Sequence, residues 1–320
     1  MNQTPKKPFN FLNLAFILIA LAAYAYIFRR LVHFENWRSF ALPFDHLQKS
    51  GLLLAGLLLM WMANLSAEVK KWQLLMRPYH LVSFKAGFQQ VLAGSVTAIL
   101  SPGRVAEPGG RMLLIPREHR ETALLTTSLG GFIQTLIISL TGLVCLVHTG
   151  RSMNLSFFSS WPLIFYYLIL SLVGVILLIT LYYLSNRIPF LQKIKGHLFQ
   201  LKKLKPVLTM KIIGWTFIRY SIYHVQFYLW LKFFDYPITL LQFIWLAPIY
   251  FYIITIIPSF LLADVGIRGT VSLFVFTPIL AQEPFLLTAI LSLWLLNVAI
   301  PALLGSIILV KHKRRKAYPV

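Results

Sequence analysis

Long apolar runs, separated by short polar and basic segments, set the pattern of this chain. Several of them approach the roughly 20 residues with which a helix crosses the hydrocarbon core of a bilayer. The pattern therefore predicts an all-α polytopic membrane protein, with residues 1–320 forming a single integral membrane domain. The apolar runs cover residues 10–28, 51–67, 87–100, 123–148, 161–184, 207–231, 241–257, 271–280 and 285–310.

Composition agrees with a membrane protein. Hydrophobic residues make up 58% of the chain and charged residues 12%, which excludes an ordinary soluble domain. Cys145 is the only cysteine, so neither an internal disulfide nor a cysteine-based metal cluster can form. The eight histidines are scattered without ligand spacing, and we predict no metal site and no cofactor.

Basic residues outnumber acidic ones by 30 to 9. Nucleic-acid binding is one interpretation of such an excess, but the basic residues concentrate in particular loops, as the positive-inside rule describes for membrane proteins. We therefore expect no nucleic-acid partner.

In segment 187–211, leucines at helical spacing predict an amphipathic helix on the membrane surface. A plain basic anchor is an equally good interpretation of this segment. The charge bias places four segments in the cytoplasm, namely 68–85, 111–121, 186–206 and the C-terminus, and two segments outside, 149–160 and 232–240. Arg29 and Arg30 are the clear exception to this bias.

This topology makes two segments re-entrant. Both flanks of 86–110 fall on the cytoplasmic side, whereas segment 241–280 begins and ends outside. Two helical hairpins that enter from opposite faces predict an inverted-topology repeat, approximately 51–148 and 207–310, as in many secondary transporters. For 241–280, two full crossings are the alternative, although 271–280 is too short to span the bilayer.

One motif occurs in both hairpin segments. The sequences SPGRVAEPGGR (101–111) and IPSFLLADVGIRG (257–269) each carry a proline, then an acid, then an arginine four residues after the acid. Proline, glycine and charge are costly in lipid and are tolerated where backbone lines a wet cavity. The residues predicted to form the hairpin backbone are Pro102, Gly103, Pro258 and Gly266, and those predicted to bind substrate are Arg104, Glu107, Arg111, Arg219, Asp264 and Arg268.

The arginines suggest an anionic ligand, because a guanidinium pairs with phosphate through two parallel hydrogen bonds. Structural ion pairs, Glu107–Arg111 and Asp264–Arg268, are the alternative, and Arg111 could lie at the cytoplasmic surface. For Arg219, pairing with Glu68 or Asp264 is as well supported as substrate contact. In the fourth and last runs, Gln134 and Asn297 are typical of hydrogen bonds between packed membrane helices.

From about residue 64 to residue 304, the chain resembles the lysylphosphatidylglycerol synthase transmembrane, or flippase-like, family. The resemblance rests on Trp72-Gln-Leu-Leu, on 84–90 and on 101–107 in the first half, where Ala106 replaces a usual glycine. In the second half it rests on Pro258, Gly266 and Arg268, with Gly269 in place of a usual glutamate. We find no counterpart of the soluble aminoacyl-transferase domain of two-domain members. The resemblance therefore implies lipid translocation rather than lipid modification.

These observations predict a non-enzymatic transporter in a bacterial cytoplasmic membrane. Its expected substrate is a phospholipid or another lipid-linked anion, and its expected partners are anionic membrane lipids. Two other functions stay open at this point. One is a membrane-embedded enzyme that acts on a lipid head group, and the other is a non-transporting accessory subunit of a lipid or envelope synthesis complex.

Overall fold

A computed structural model describes residues 11–33, 47–152, 205–259, 261–278 and 282–317, and in these ranges the chain is helical with no strand. The predicted span 161–184 and most of the predicted amphipathic helix 187–211 lie outside the described residues. The helices are α1 (Phe11–Val32), α2 (Leu47–Met76), α3 (Phe84–Ile99), α4 (Glu107–Met112), α5 (Arg120–Ser152), α6 (Pro206–Phe233), α7 (Leu240–Ile256), α8 (Leu261–Phe276), α9 (Glu283–Trp294) and α10 (Ile300–Ala317).

Three stretches of the described chain are long and apolar enough to cross a membrane, which confirms the prediction of a membrane protein at this level. The third stretch is not one regular helix, because a π-helical turn, Leu295–Ala299, joins α9 to α10. Such turns are uncommon and often lie near functional sites. The three stretches are Gly51–Met76, Arg117–Gly150 and Glu283–Lys313.

The helices next to the two motifs are shorter. The helices α3 and α8 have 16 residues each and α7 has 17, which corresponds to about 24–26 Å at 1.5 Å per residue. A bilayer core is about 30 Å thick. None of the three therefore reaches across it as a straight helix.

Each motif interrupts the helical path at a proline. We call residues 100–106 the first break and residues 257–259 the second break. Ser101 precedes Pro102 with φ −124° and ψ 139°, and Ile257 precedes Pro258 with φ −83° and ψ 109°. Proline disfavours helical backbone angles for the residue before it, so α3 and α7 end for the same reason. In the first break a 3₁₀ turn follows, and Gly103 there has a φ of 59°.

Helices from the two halves pack crosswise. The first-half helix α3 lies along α10, the second-half helix α7 lies along α5, and α2 lies along α6. Glycine allows the close approach in both crossed pairs. A Cβ at Gly305 would lie 2.0 Å from the Leu92 carbonyl oxygen, and one at Gly142 would lie 2.8 Å from that of Pro248. Both positions therefore exclude any side chain.

Outside the crossed pairs, α1 packs against α8. Gly266 belongs to this contact rather than to the second break, because it lies inside α8 and faces the ring of Tyr24. The sequence grouped it with the hairpin backbone because it lies in the second motif, between Pro258 and Arg268. The helix in fact begins at Leu261, and Asp264 and Arg268 are helical residues.

The first half also differs from the sequence prediction at its polar positions. The helix α2 continues to Met76, nine residues past the end of the apolar run 51–67. Lys71 and Arg111, which the charge pattern counts with the cytoplasmic loops, are both buried. They can be buried because each forms an ion pair with Glu68.

Candidate functional site

The two breaks border one cavity of about 440 Å³, which also reaches α2, α5, α6 and the π-helical turn. The cavity brings together all six residues that the sequence predicted to bind substrate. It also contains Gly103, whereas Pro102, Pro258 and Gly266 are not among its lining residues. Among the described residues, the charged side chains that line it are Glu68, Lys71, Arg104, Glu107, Arg111, Arg219, Asp264 and Arg268.

The breaks touch each other at this cavity. The backbone N–H of Gly103 donates to the carbonyl oxygen of Ser259 at 3.3 Å. Two residues beside this contact have positive φ although they are not glycine, Arg104 at 60° and Leu261 at 50°. Such backbone is strained and tends to be retained at functional sites.

Glu68 on α2 is the centre of the larger charged group. Its Oε1 lies 2.6 Å from Nη2 of Arg111, and its Oε2 lies 2.7 Å from Nζ of Lys71 and 3.2 Å from Nη1 of Arg219. We call these four residues the Glu68 cluster. One buried carboxylate on α2 thus joins α4, through Arg111, to α6, through Arg219.

Arg111 is held on two sides. Its Nη2 contacts Glu68 and also Oε1 of Glu107, and its guanidinium lies over the ring of Trp72, 5.1 Å from the centroid. Trp72 is fixed in turn by a 2.7 Å hydrogen bond from its Nε1 to Gln90. With only 2% of its side chain exposed, Arg111 is buried in the interior of the protein.

The second motif forms a separate group around Asp264. Oδ2 of Asp264 accepts hydrogen bonds from Nε of Arg268 and Nε1 of Trp294, both at 2.8 Å. Oδ1 accepts from the Ser259 hydroxyl at 2.6 Å. We call these four residues the Asp264 cluster. Because Ser259 is also the backbone partner of Gly103, this cluster is tied directly to the contact between the breaks.

The arginines that line the cavity differ in the exposure of their side chains. The side chain of Arg104 is 43% exposed, that of Arg219 24% and that of Arg268 15%. Arg104 pairs with Glu107 at 3.2 Å. These three arginines retain accessible surface for a ligand, whereas Arg111 does not.

Arg219 is oriented by neutral side chains as well as by Glu68. Its Nε donates to Oδ1 of Asn64 at 3.0 Å, and its Nη1 donates to Oε1 of Gln134. Gln134 therefore orients a cavity arginine instead of only joining two helices. Asn297, in the π-helical turn, also lines the cavity and donates to Gln226 at 2.8 Å.

Several site residues were not candidates from sequence. Asn64 and Trp294 contact a candidate arginine and a candidate acid, and Lys71 contacts Glu68, which was considered only as a partner for Arg219. The one available signal was an acid and a lysine three residues apart, directly after an apolar run, a spacing that places them on one helix face.

No group of three or more histidine, cysteine or acidic side chains in the described ranges is arranged to hold a metal ion. No family model, curated protein or solved structure matches this chain. The cavity and its charges are therefore the features of this chain that indicate a function.

Proposed function

We propose that this protein moves a lipid with an anionic head group from one leaflet of a bacterial cytoplasmic membrane to the other. The observation that carries the proposal is one cavity that collects the cationic side chains of both motifs together with those of Lys71 on α2 and Arg219 on α6. A guanidinium in a membrane interior costs at least about 2.5 kcal/mol on insertion scales. A protein that only needed to span a bilayer would have no reason to place several of them together.

The crosswise packing supports an inverted repeat. If α2, α3 and α5 correspond to α6, α7 and the α9–α10 unit, then the α3–α10 contact corresponds to the α7–α5 contact. The two glycine contacts, at Gly305 and Gly142, correspond in the same way. The proposed repeat, with its short broken helices entering from opposite faces, is a common architecture of transporters. On the evidence of the basic loops, we assign the C-terminus to the cytoplasm.

In the proposed mechanism, the head group occupies the cavity while its hydrocarbon tails stay in the bilayer. Arg104, Arg219 and Arg268 contact the head group, and Arg111 positions Glu107 and the first break. Exposed apolar side chains at the cavity rim, Val105 and Leu261, give the tails an apolar boundary. The arginines replace the water that the head group loses, which lowers the barrier to crossing.

Reconstitution into liposomes tests this function. The movement of fluorescent phosphatidic acid and phosphatidylglycerol, labelled on an acyl chain, is followed by dithionite bleaching of the outer leaflet. Phosphatidylcholine, which is zwitterionic and has no net charge, is the comparison lipid. We expect protein-dependent movement of the anionic lipids. The double substitution Arg104→Gln with Arg268→Gln should reduce it at least tenfold, which corresponds to about 1.4 kcal/mol.

Arg117→Gln is the matched control, because Arg117 is exposed in a 3₁₀ turn and does not line the cavity. Full activity of the double variant would refute a substrate role for the two arginines. A chemically altered lipid would instead identify a head-group enzyme. No movement and no alteration of any anionic lipid would leave the accessory-subunit function.

A further inference from the structure

We infer that the transported head group is a phosphate that carries two negative charges, such as the terminal phosphate monoester of a lipid. This inference rests on the proposed function and specifies its substrate class. It follows from the charges that line the cavity in the described residues, where five cationic side chains face three carboxylates. The cavity therefore has two positive charges in excess.

The excess is located on particular arginines. Each carboxylate can be matched with one cation of low exposure: Glu68 with Lys71, Glu107 with Arg111, which also contacts Glu68, and Asp264 with Arg268. The two remaining cations are Arg104 and Arg219, which only share a carboxylate that already has a closer partner. These are also the two most exposed of the cavity arginines.

Arg104 and Arg219 are the two ends of one chain of alternating charge. From Arg104 the contacts pass to Glu107, then to Arg111, then to Glu68 and finally to Arg219. Each arginine at the end of this chain contacts one carboxylate, whereas Arg111 in the middle contacts two. An anion with two charges that reached both ends would compensate the excess and give each end its second partner.

The helix termini near the cavity do not change the sign of its net charge. The carbonyl ends of α3 and α7 and the amide ends of α4 and α8 meet at the breaks. Terminal dipoles of opposite sign are thus brought together and largely offset one another. The side chains therefore determine the charge of the cavity. Uncompensated charge away from water is costly, so a dianion gains more in this cavity than a monoanion does.

Two lipids that differ by one methyl group test the inference. Phosphatidic acid is a phosphate monoester, which is a dianion at pH 8 because its second pKa is about 6. Phosphatidylmethanol is the corresponding diester and keeps a single charge. With identical labelled acyl chains, we expect the protein-dependent translocation rate for phosphatidic acid to be about tenfold higher at pH 8. At pH 5 phosphatidic acid becomes a monoanion, and the two rates should converge.

The substitution Arg104→Gln removes one excess charge at an exposed position and should lower the ratio of the two rates toward one, whereas Arg117→Gln should leave the ratio unchanged. Equal rates for both lipids at pH 8 in the wild-type protein would overturn the inference while leaving anionic lipid transport intact. A rate ratio that Arg104→Gln does not change would overturn the assignment to the charge chain. If neither these lipids nor phosphatidylglycerol move, the proposed function itself fails.

Discussion

The two motifs have the same order of proline, acid and arginine, yet their charges lie in different surroundings. In the first half, the Glu107–Arg111 pair belongs to a chain that also includes Arg104, Glu68 and Arg219. In the second half, the carboxylate of the Asp264–Arg268 pair is bound by neutral donors, the Ser259 hydroxyl and the Trp294 indole. The shared local pattern thus determines which acid pairs with which arginine, whereas residues distant in sequence determine the further contacts of each pair.

This difference matters for how a ligand can act. Arg268 contacts one carboxylate, so an incoming anion competes with a single partner. Arg111 is buried between two carboxylates, and a ligand would have to displace both. The first motif therefore contributes Arg104, not Arg111, to the proposed ligand site, and the second contributes its own paired arginine.

Exchanging the charges of each pair should give the largest difference between the halves. In the double variant Glu107→Arg with Arg111→Glu, the new glutamate faces Glu68 and the new arginine faces Arg104. We expect a loss of at least about 3 kcal/mol in stability, because buried like charges replace buried pairs. The double variant Asp264→Arg with Arg268→Asp keeps its pairing and should fold, although it should not transport.

Thermal unfolding of both double variants in detergent, together with the liposome assay, measures this difference. Equal stability of the two would mean that the Glu68 cluster adds nothing to the first pair. Full transport by the second variant would mean that Arg268 serves only to neutralise Asp264.

The substitution Glu68→Gln should have the next largest effect. It leaves Lys71 and Arg219 without a carboxylate in the interior, and breaking a buried pair in this way typically costs about 3–5 kcal/mol. Glu118→Gln is the control, because Glu118 is exposed in the same 3₁₀ turn as Arg117. Chemical denaturation in detergent provides the measurement, and a Glu68→Gln protein as stable as the Glu118→Gln protein would contradict a central role for Glu68.

Trp294→Phe should have the smallest effect of the three. It removes one hydrogen bond to a charged group, a loss of about 1.5–3 kcal/mol, and releases one side of Asp264. Trp61→Phe is a matched control because the Trp61 indole N–H is buried without a hydrogen-bond partner in the described structure. The comparison is made by thermal unfolding, and transport by Trp294→Phe should fall while that by Trp61→Phe should not. Equal effects would show that the indole acts through packing alone.

The features that could be predicted from the sequence are those that depend on residues close together in the chain. Apolar length located the three described stretches that could cross a membrane. The prolines located both breaks, because proline acts on the residue immediately before it. The sequence also predicted the acid–arginine pairs, since residues four apart share a helix face. The candidate residues converge on one cavity, although their role as ligand residues stays a prediction.

Other features depend on partners far away in the chain. Glu68 contacts Arg111 and Arg219, and nothing near residue 68 specifies either of them. Lys71 looked like a loop residue because it follows the apolar run, and only its pairing with Glu68 explains its burial. Gly266 was predicted as part of the hairpin backbone, and its use for close packing could not be foreseen because the partner, Tyr24, lies in α1.

The glycine contacts between the halves also constrain how the molecule can move. Gly305 lies directly against the Leu92 carbonyl of α3, and Gly142 lies directly against Tyr252 and the Pro248 carbonyl of α7. Each short helix is thereby attached to the long helix of the opposite half. A rocking motion of one half against the other would carry the two breaks past each other in opposite directions. If the proposed transport works by alternating access, these two positions, where nothing larger than a hydrogen atom fits, are where each short helix would be coupled to the opposite half.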